Sequence, residues 1–389
     1  MSSAVPDGWH DARFDSFCTL QRGFDLPIQN RSDGKYPIFG SNGIVGYHNE
    51  SSVKAPCVVT GRSGSIGQVF YFEEDFWALN TSLYVKNFHG NQPKYVYFFL
   101  EQFDLSRFGT GTGVPTLNRN DVHCVEIRYP PRPEQKKIAS ILTSLDEVIE
   151  KTESQIAKLH DLKTGMMQEL LTKGIGHTDF KDSPVGRIPV GWDLHSMESI
   201  CRKITDGEHL SPKCLPEGKP ILSAKDIEEY GIDFLGAKFV SPDAFEKMLK
   251  RCNPELGDVL IISRGATIGK STLNISNKRF ALMGSVILLK PKEQFCIGEY
   301  LTYFIQLPQV QQSLLQLSGS SAQQAIYLKD IKQLTVPLPD IEEQKRISSS
   351  IASVDERIKR IQGKLGANML AKKALMQDLL TGKVRVKTD

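Results

Sequence analysis

Apolar residues recur in steps of three and four along two stretches of this chain. In residues 134–172 the spaced positions are Ile138, Leu142, Leu145, Ile149, Thr152, Ile156, Leu159, Lys163, Met166 and Leu170. Near the C-terminus they are Ile347, Ile351, Val354, Ile358, Ile361, Leu365, Asn368, Lys372, Leu375 and Leu379. A seven-residue period held over about five repeats predicts a helix with one coiled-coil seam. Proline-rich YPPRPEQ and VPLPDIEEQ precede the two helices, and TKGIG and TGK end them. An apolar stripe of this length needs a mate. The simplest closure packs the two helices antiparallel within the chain; pairing with a second chain is the alternative. The polar seam positions Thr152, Lys163, Asn368 and Lys372 either fix the register or lie where the seam leaves the interface.

Elsewhere the pattern shortens. CVVTG, QVFYF, SLYVKNF, DVLIIS and SVILLK read as strands between turns rich in Gly, Asn, Ser and Pro. PKYVYFFLEQF and GEYLTYFIQLP each read as one short helix. These segments predict α+β bodies with twisted hairpins and long polar loops.

The chain repeats itself. EQKKIASILTSLDEVIE at 134 and EQKRISSSIASVDERIK at 343 align 209 residues apart, ungapped through MMQELLTKGI and LMQDLLTGKV. A weaker likeness precedes each helix: VPDGWHDARFDSF with IPVGWDLHSMESI, YPIFGSNGI with KPILSAKDI, VVTGRSGSIGQV with LIISRGATIGKS, and ALNTSLYV with ALMGSVIL. Such duplication predicts two α+β domains, 1–130 and 179–337, and two helical spacers, 131–178 and 338–389. The expected fold class is α+β, with two pseudo-twofold-related domains separated by two long antiparallel coiled-coil helices. The helices resemble each other far more than the bodies do. That contrast suggests two versions of one task performed on a shared mount.

Composition narrows the function classes. A net charge of +3 leaves any basic surface local rather than global. Seven cysteines without a C-x-x-C pair argue against a zinc ribbon and a disulfide framework, and no metal site is expected. With no signal-peptide pattern and no apolar run of about 18 residues, the expectation is a soluble, cytoplasmic chain without a membrane partner.

The polar loops carry the candidate chemistry, because amides, hydroxyls, imidazoles and guanidinium groups read phosphates and base edges. In the first half the candidates are Ser41, Asn42, Tyr47, His48, Arg62, Ser63, Ser65, Arg107, Thr110, Thr112, Asn118 and Arg119. In the second half they are His209, Lys225, Arg264, Thr267, Lys270, Ser271, Ser320, Ser321, Gln323 and Tyr327. Arg62 and Arg264 align inside small-residue turns; each reads equally as a solvated hairpin-tip side chain. For Arg107 and Arg119 the competing reading is a structural salt bridge. Asp206 and His209 in TDGEHLSP suggest a turn-stabilising Asx motif before metal or acid–base work. SRGATIGKST is not a phosphate-binding P-loop: only three residues separate Gly265 from Gly269, and the repeat places Gln68 where a lysine is required. No catalytic residue is assigned.

In order along the chain stand DGW and PVGW, RGFDLP with YPIFGSNGIVGYHNE, and ITDGEHLSP. GSIG and ATIG, PTLNRNDV and AIYLKDI, EQKKI and EQKRI, and LLTKGIG and LLTGKVRV complete the series. Together they resemble the specificity subunits of type I restriction-modification enzymes over essentially the whole chain. The resemblance implies two target recognition domains, each binding one half of a split, asymmetric site on double-stranded DNA, and a helical spacer that sets the unread gap. It implies docking to two modification subunits that use S-adenosylmethionine and two restriction subunits that use ATP and Mg. It implies no cofactor and no enzymatic activity in this chain. The first body is shorter than the second, and GRSGSIGQ lacks the lysine and hydroxyl of ATIGKST. A coiled-coil adaptor binding proteins through its two α+β domains is the competing reading.

Overall fold

The structure is a computed structural model that describes residues 7–111, 113–317 and 324–388. It divides into two compact units, Met1–Ser154 with Ile361–Asp389, and Gln155–Arg360. Each unit holds one α+β body and a part of both long helices.

The first body runs through β1 (His10–Arg13), β2 (Thr19–Arg22), β3 (Tyr36–Phe39), β4 (Ile44–His48), β5 (Cys57–Gly61), β6 (Val69–Phe72), β7 (Trp77–Ala78) and β8 (Ser82–Asn87). Helix α1 (Pro93–Phe103) and β9 (Glu126–Tyr129) then lead to the first long helix, α2 (Arg132–Lys173). An antiparallel sheet in the order β2-β8-β5-β6 packs against a smaller sheet, β4-β3-β7, in which β3 and β7 run parallel. β9 returns to pair with β1. Side chains alternate across a strand, so β5, β6 and β8 of the large sheet each serve two cores. Val58, Leu83 and Val85 meet Tyr95, Val96, Phe98 and Phe99 of α1, whereas Cys57, Val59 and Tyr84 meet Phe39 and Phe76.

The second body repeats this plan with β10 (Asp193–Ser196), β11 (Cys201–Asp206), β12 (Lys219–Leu222), β13 (Lys238–Val240), helix α3 (Pro242–Arg251), β14 (Val259–Ile262), β15 (Ser271–Leu273), β16 (Ala281–Leu282) and β17 (Val286–Pro291). Helices α4 (Gly298–Gln306) and α5 (Pro308–Leu317), strand β18 (Thr335–Leu338) and the second long helix, α6 (Ile341–Leu380), follow. Its sheets are β11-β17-β14-β15 and β13-β12-β16, and β18 pairs with β10. Val259, Ile261, Ile287 and Leu289 face Tyr300, Leu301 and Phe304, while Leu260, Ile262, Val286 and Leu288 face Leu222, Phe280 and Leu282. The extra length lies in the β12–β13 connection, residues 223–237, and in α3 and α5. Ser241 caps α3 ahead of Pro242, and the helix buries Phe245, Met248 and Leu249 against the smaller sheet. GEYLTYFIQLP holds α4 as predicted but ends at a junction where Pro308 opens α5.

In both units the long helices pair within the chain and antiparallel. In the first, Glu134 meets Arg385 at 2.8 Å and, farther along α2, Asp146 meets Lys372 at 2.7 Å. In the second, Lys163 meets Asp355 at 2.7 Å, and Glu343, near the start of α6, receives the backbone amide of Ile175 just after α2. Ile138, Leu142, Leu159, Ile347, Ile351, Val354, Ile358 and Ile361 are buried; Leu145, Ile149, Ile156 and Leu365 are half-buried. The polar seam lysines belong to the interface, since Lys163 is 7% and Lys372 16% exposed and each has an aspartate partner.

Each long helix is fastened to its body by its first-turn Glu-Gln pair. Gln135 Nε2 donates to Asn91 Oδ1 and to the Pro130 carbonyl, and its oxygen accepts from the Gln92 amide. Gln344 does the same with the carbonyls of Phe295 and Pro339 and the amide of Ile297. The neighbouring glutamate grips the chain that leaves the other helix. Glu134 takes a two-pronged bond from Arg385, and Glu343 accepts from Ile175 N, His177 Nε2 and Trp192 Nε1.

Candidate nucleic-acid interface

In the first unit three loops meet. A side chain at Gly61 would strike the carbonyl oxygens of Ser41 and Ser65, so the β3–β4 tip and the turn after β5 touch there. The turn also joins the segment before residue 118, because Gly64 N donates to Pro115 O and Leu117 N to Arg62 O. Asn42, Ser65 and Thr110 are exposed in this cluster, and Ser41 and Ser63 are half-exposed. The Arg62 guanidinium is half-buried and donates to the Asn80 carbonyl at 3.4 Å. The exposed Arg107 stacks on Phe103 and Phe108 at 4.4 and 4.8 Å, and Arg119 reaches the Leu20 carbonyl. The expected salt bridges to Arg107 and Arg119 are not formed among the described residues.

Other candidates are placed apart. His48 is 5% exposed; its Nδ1 meets Ser32 N at 3.1 Å and its ring packs on Trp77, so it holds a loop from inside. Tyr47 faces a separate hollow with Lys35, Lys94 and Glu147. Asn118 caps the short helix Arg119–His123 by accepting from Asn120 N. Thr112, Ser320, Ser321 and Gln323 lie outside the described residues.

In the second unit His209, Lys225 and Arg264 come together around a hollow of about 400 Å³, with Lys238, Met283, Gly284 and Ser285. The sequence reading missed Lys238 and Ser285, which have no motif of their own. Asp206 is not an Asx turn. Its carboxylate binds His209 Nε2 at 2.8 Å and the Arg251 guanidinium, tying the loop to α3. Lys225 donates to the Gly236 carbonyl at 3.0 Å. Thr267, Lys270 and Ser271 line a different hollow, against His160 and Thr164 of α2. Ser271 is buried, whereas Tyr327 is exposed beneath Lys329. SRGATIGKST is the turn between β14 and β15 with the first residues of β15, whereas a P-loop runs into a helix.

Strand register corrects the match of Arg62 to Arg264. Val59 faces Tyr84 and Leu260 faces Leu288, and both pairs point into the core between the sheets. Counting on, Arg62 corresponds to Ser263 and Ser63 to Arg264. The hydrogen bonds agree: Arg62 N donates to Thr81 O and Ser263 N to Ser285 O, while Leu117 N and Ile326 N donate to Arg62 O and Ser263 O. Bridges join Ser63 to Thr116 and Arg264 to Ala325. A one-residue shift moves a side chain to the opposite face, which is why one arginine is tied down and the other is exposed.

The architecture defines a class: two α+β bodies of one topology, each bearing polar loops at matched positions and each fastened to an antiparallel helix pair. Residues 6–160 and 212–366 match the Type I restriction modification DNA specificity domain, and the chain belongs to that family. It is a type I specificity subunit with two recognition domains, and its relatives are specificity subunits. The putative type I restriction enzyme MjaX specificity subunit of Methanocaldococcus jannaschii is 28% identical over 320 residues, 80% of this chain and 72% of that one. The MjaVIII specificity subunit of the same organism is 28% identical over 71% of this chain and 66% of its own length. The EcoKI specificity subunit of Escherichia coli K12 is 22% identical over 67% of this chain and 58% of its own length. The fold is shared with the S subunit of a type I restriction-modification system from M. genitalium, with a TM-score of 0.65 over 98% of both chains at 16% identity. Among the described residues no helix is long and apolar enough to cross a membrane.

Proposed function

We propose that each α+β body reads one half of a bipartite, asymmetric site on double-stranded DNA, and that the paired helices set the number of unread base pairs between the halves. The observation that carries this is the duplication. Two bodies share a frame down to strand register, yet they present different side chains in matched loops. The chain docks two modification subunits, which bring S-adenosylmethionine, and two restriction subunits, which bring ATP and Mg; it supplies recognition and no catalytic group. It works in the cytoplasm. The half-sites lie about one duplex turn apart, on the order of 10 base pairs. Phosphate contacts supply much of the affinity, so binding weakens steeply with salt.

Methylation mapping in a strain carrying this chain with its modification partner tests the reading. The expected result is one bipartite motif methylated on adenine. A strain with no such motif contradicts it and favours a protein-binding adaptor.

A further inference from the structure

We propose that the hollow beside Arg264 is the base-selecting position of the second body, and that Arg264 selects a guanine there. The inference rests on the DNA-reading role above.

Arg264 is exposed at the rim of the hollow, and among the described residues its guanidinium has no protein partner. The backbone around it is held from two sides, by Ser263 N to Ser285 O at 2.9 Å and Ile326 N to Ser263 O at 2.9 Å. A guanidinium on a fixed backbone presents a planar fork, which fits the O6 and N7 acceptors of guanine. The acidic groups nearby are already engaged. Asp226 is 2% exposed and accepts from Ser223 N and Oγ, and Glu208 accepts from Leu210 N. Lys238, exposed and without a partner among the described residues, lines the same hollow and supplies a cation for a phosphate flanking the selected base. A Cβ at Gly284 would lie 2.7 Å from His209 Nδ1, so a larger residue there would push the imidazole aside.

The same place in the first body offers other chemistry. Ser63 stands in register with Arg264, and Asn80 with Gly284: Asn80 N donates to Phe24 O as Gly284 N donates to Glu208 O. The Asn80 side chain donates to Asp25, and the Asn80 backbone carbonyl accepts from Arg22 and Arg62. One body therefore shows an exposed guanidinium where the other shows a hydroxyl and an engaged amide. Such a position is where the two halves of an asymmetric site diverge. Lys270 takes no part in selection, because it lines the other hollow.

The test uses the chain with its modification subunits and compares wild type with Arg264→Ala, Arg264→Lys and Lys238→Ala. Methylation mapping is expected to show that both Arg264 variants accept other bases at one guanine position in one half-site, with the other half and the gap unchanged. Competition among duplexes carrying each base pair at that position should show discrimination falling roughly tenfold to hundredfold. Lys238→Ala should lower the extent of methylation on the same motif. An Arg264→Lys variant with the wild-type motif overturns the proposal, because charge alone then suffices, as does an Arg264→Ala variant that keeps the guanine. If wild type itself gives no motif, the DNA-reading role has failed, a different outcome from either. Cys214, exposed in the same hollow, gives a second readout. Duplex containing the site should slow its alkylation, and an unchanged rate places the hollow away from DNA.

Discussion

Glu134 and Glu343 stand 209 residues apart in the duplicated EQK segments, and each receives the chain leaving the other long helix. Removing Glu343 leaves Trp192 Nε1 and Ile175 N without an acceptor in a buried place. We expect Glu343→Ala to cost about 2–3 kcal/mol in chemical denaturation, whereas Glu342→Ala, on the exposed side, should stay within about 0.5 kcal/mol. The repeated EQ was visible in the sequence as a motif. Its purpose was not, because the bonded partners lie on distant segments that no local spacing connects. His123 is another inward-facing group. Its Nε2 accepts from Leu20 N at 3.0 Å, and burial holds its pKa below the ordinary 6.5; nearby Asp15 opposes this shift and Arg119 and Arg13 reinforce it. The unfolded chain then takes up the proton more readily than the folded one. Stability is full above the ordinary histidine value and is lost as pH falls through the lower folded value. Thermal unfolding followed from about pH 7.5 to 5 should show this slope in wild type and a shallower one in His123→Gln; equal slopes would remove His123 from the account.

At the scale of elements, the heptad period placed both helices, and the alternating runs placed most large-sheet strands. The match between the bodies is subtler. From β5 to β14 the strand correspondence runs 201 residues apart, and from β6 to β15 it runs 202, so the turn around Arg264 carries one more residue than its counterpart. The GSIG and ATIG segments align from their C-terminal side, which moved Arg62 opposite Arg264. Only strand pairing shows where the added residue enters. The buried seam ions make a separate prediction. Lys163→Met leaves the Asp355 carboxylate without its cation in the seam and should cost about 3–5 kcal/mol, whereas Lys163→Met with Asp355→Asn, which keeps an acceptor for the Tyr303 hydroxyl, should recover most of that loss. A double-mutant cycle by denaturant unfolding measures the difference, and equal losses in both variants would remove the pairing energy from the explanation.

At the scale of the molecule, the sequence made the duplicated plan legible because the helices diverged little and the loop motifs kept their order. It did not separate the loop residues that converge from those that do not, since convergence is set by sheet register and by packing beneath the loops. His48 and Ser271 carry suitable chemistry and are buried, whereas Lys238 carries no motif and is exposed. If the helices set the gap, inserting one heptad into both should lengthen the unread interval of the methylated motif while both halves stay the same; an unchanged interval contradicts that role. The central claim, one half-site for each body, is tested most directly by exchanging residues 1–130, and separately 187–337, with those of a relative that reads a different site. Methylation mapping of each hybrid should show one half of the motif replaced and the other half kept. A hybrid in which both halves change together, or neither does, contradicts it.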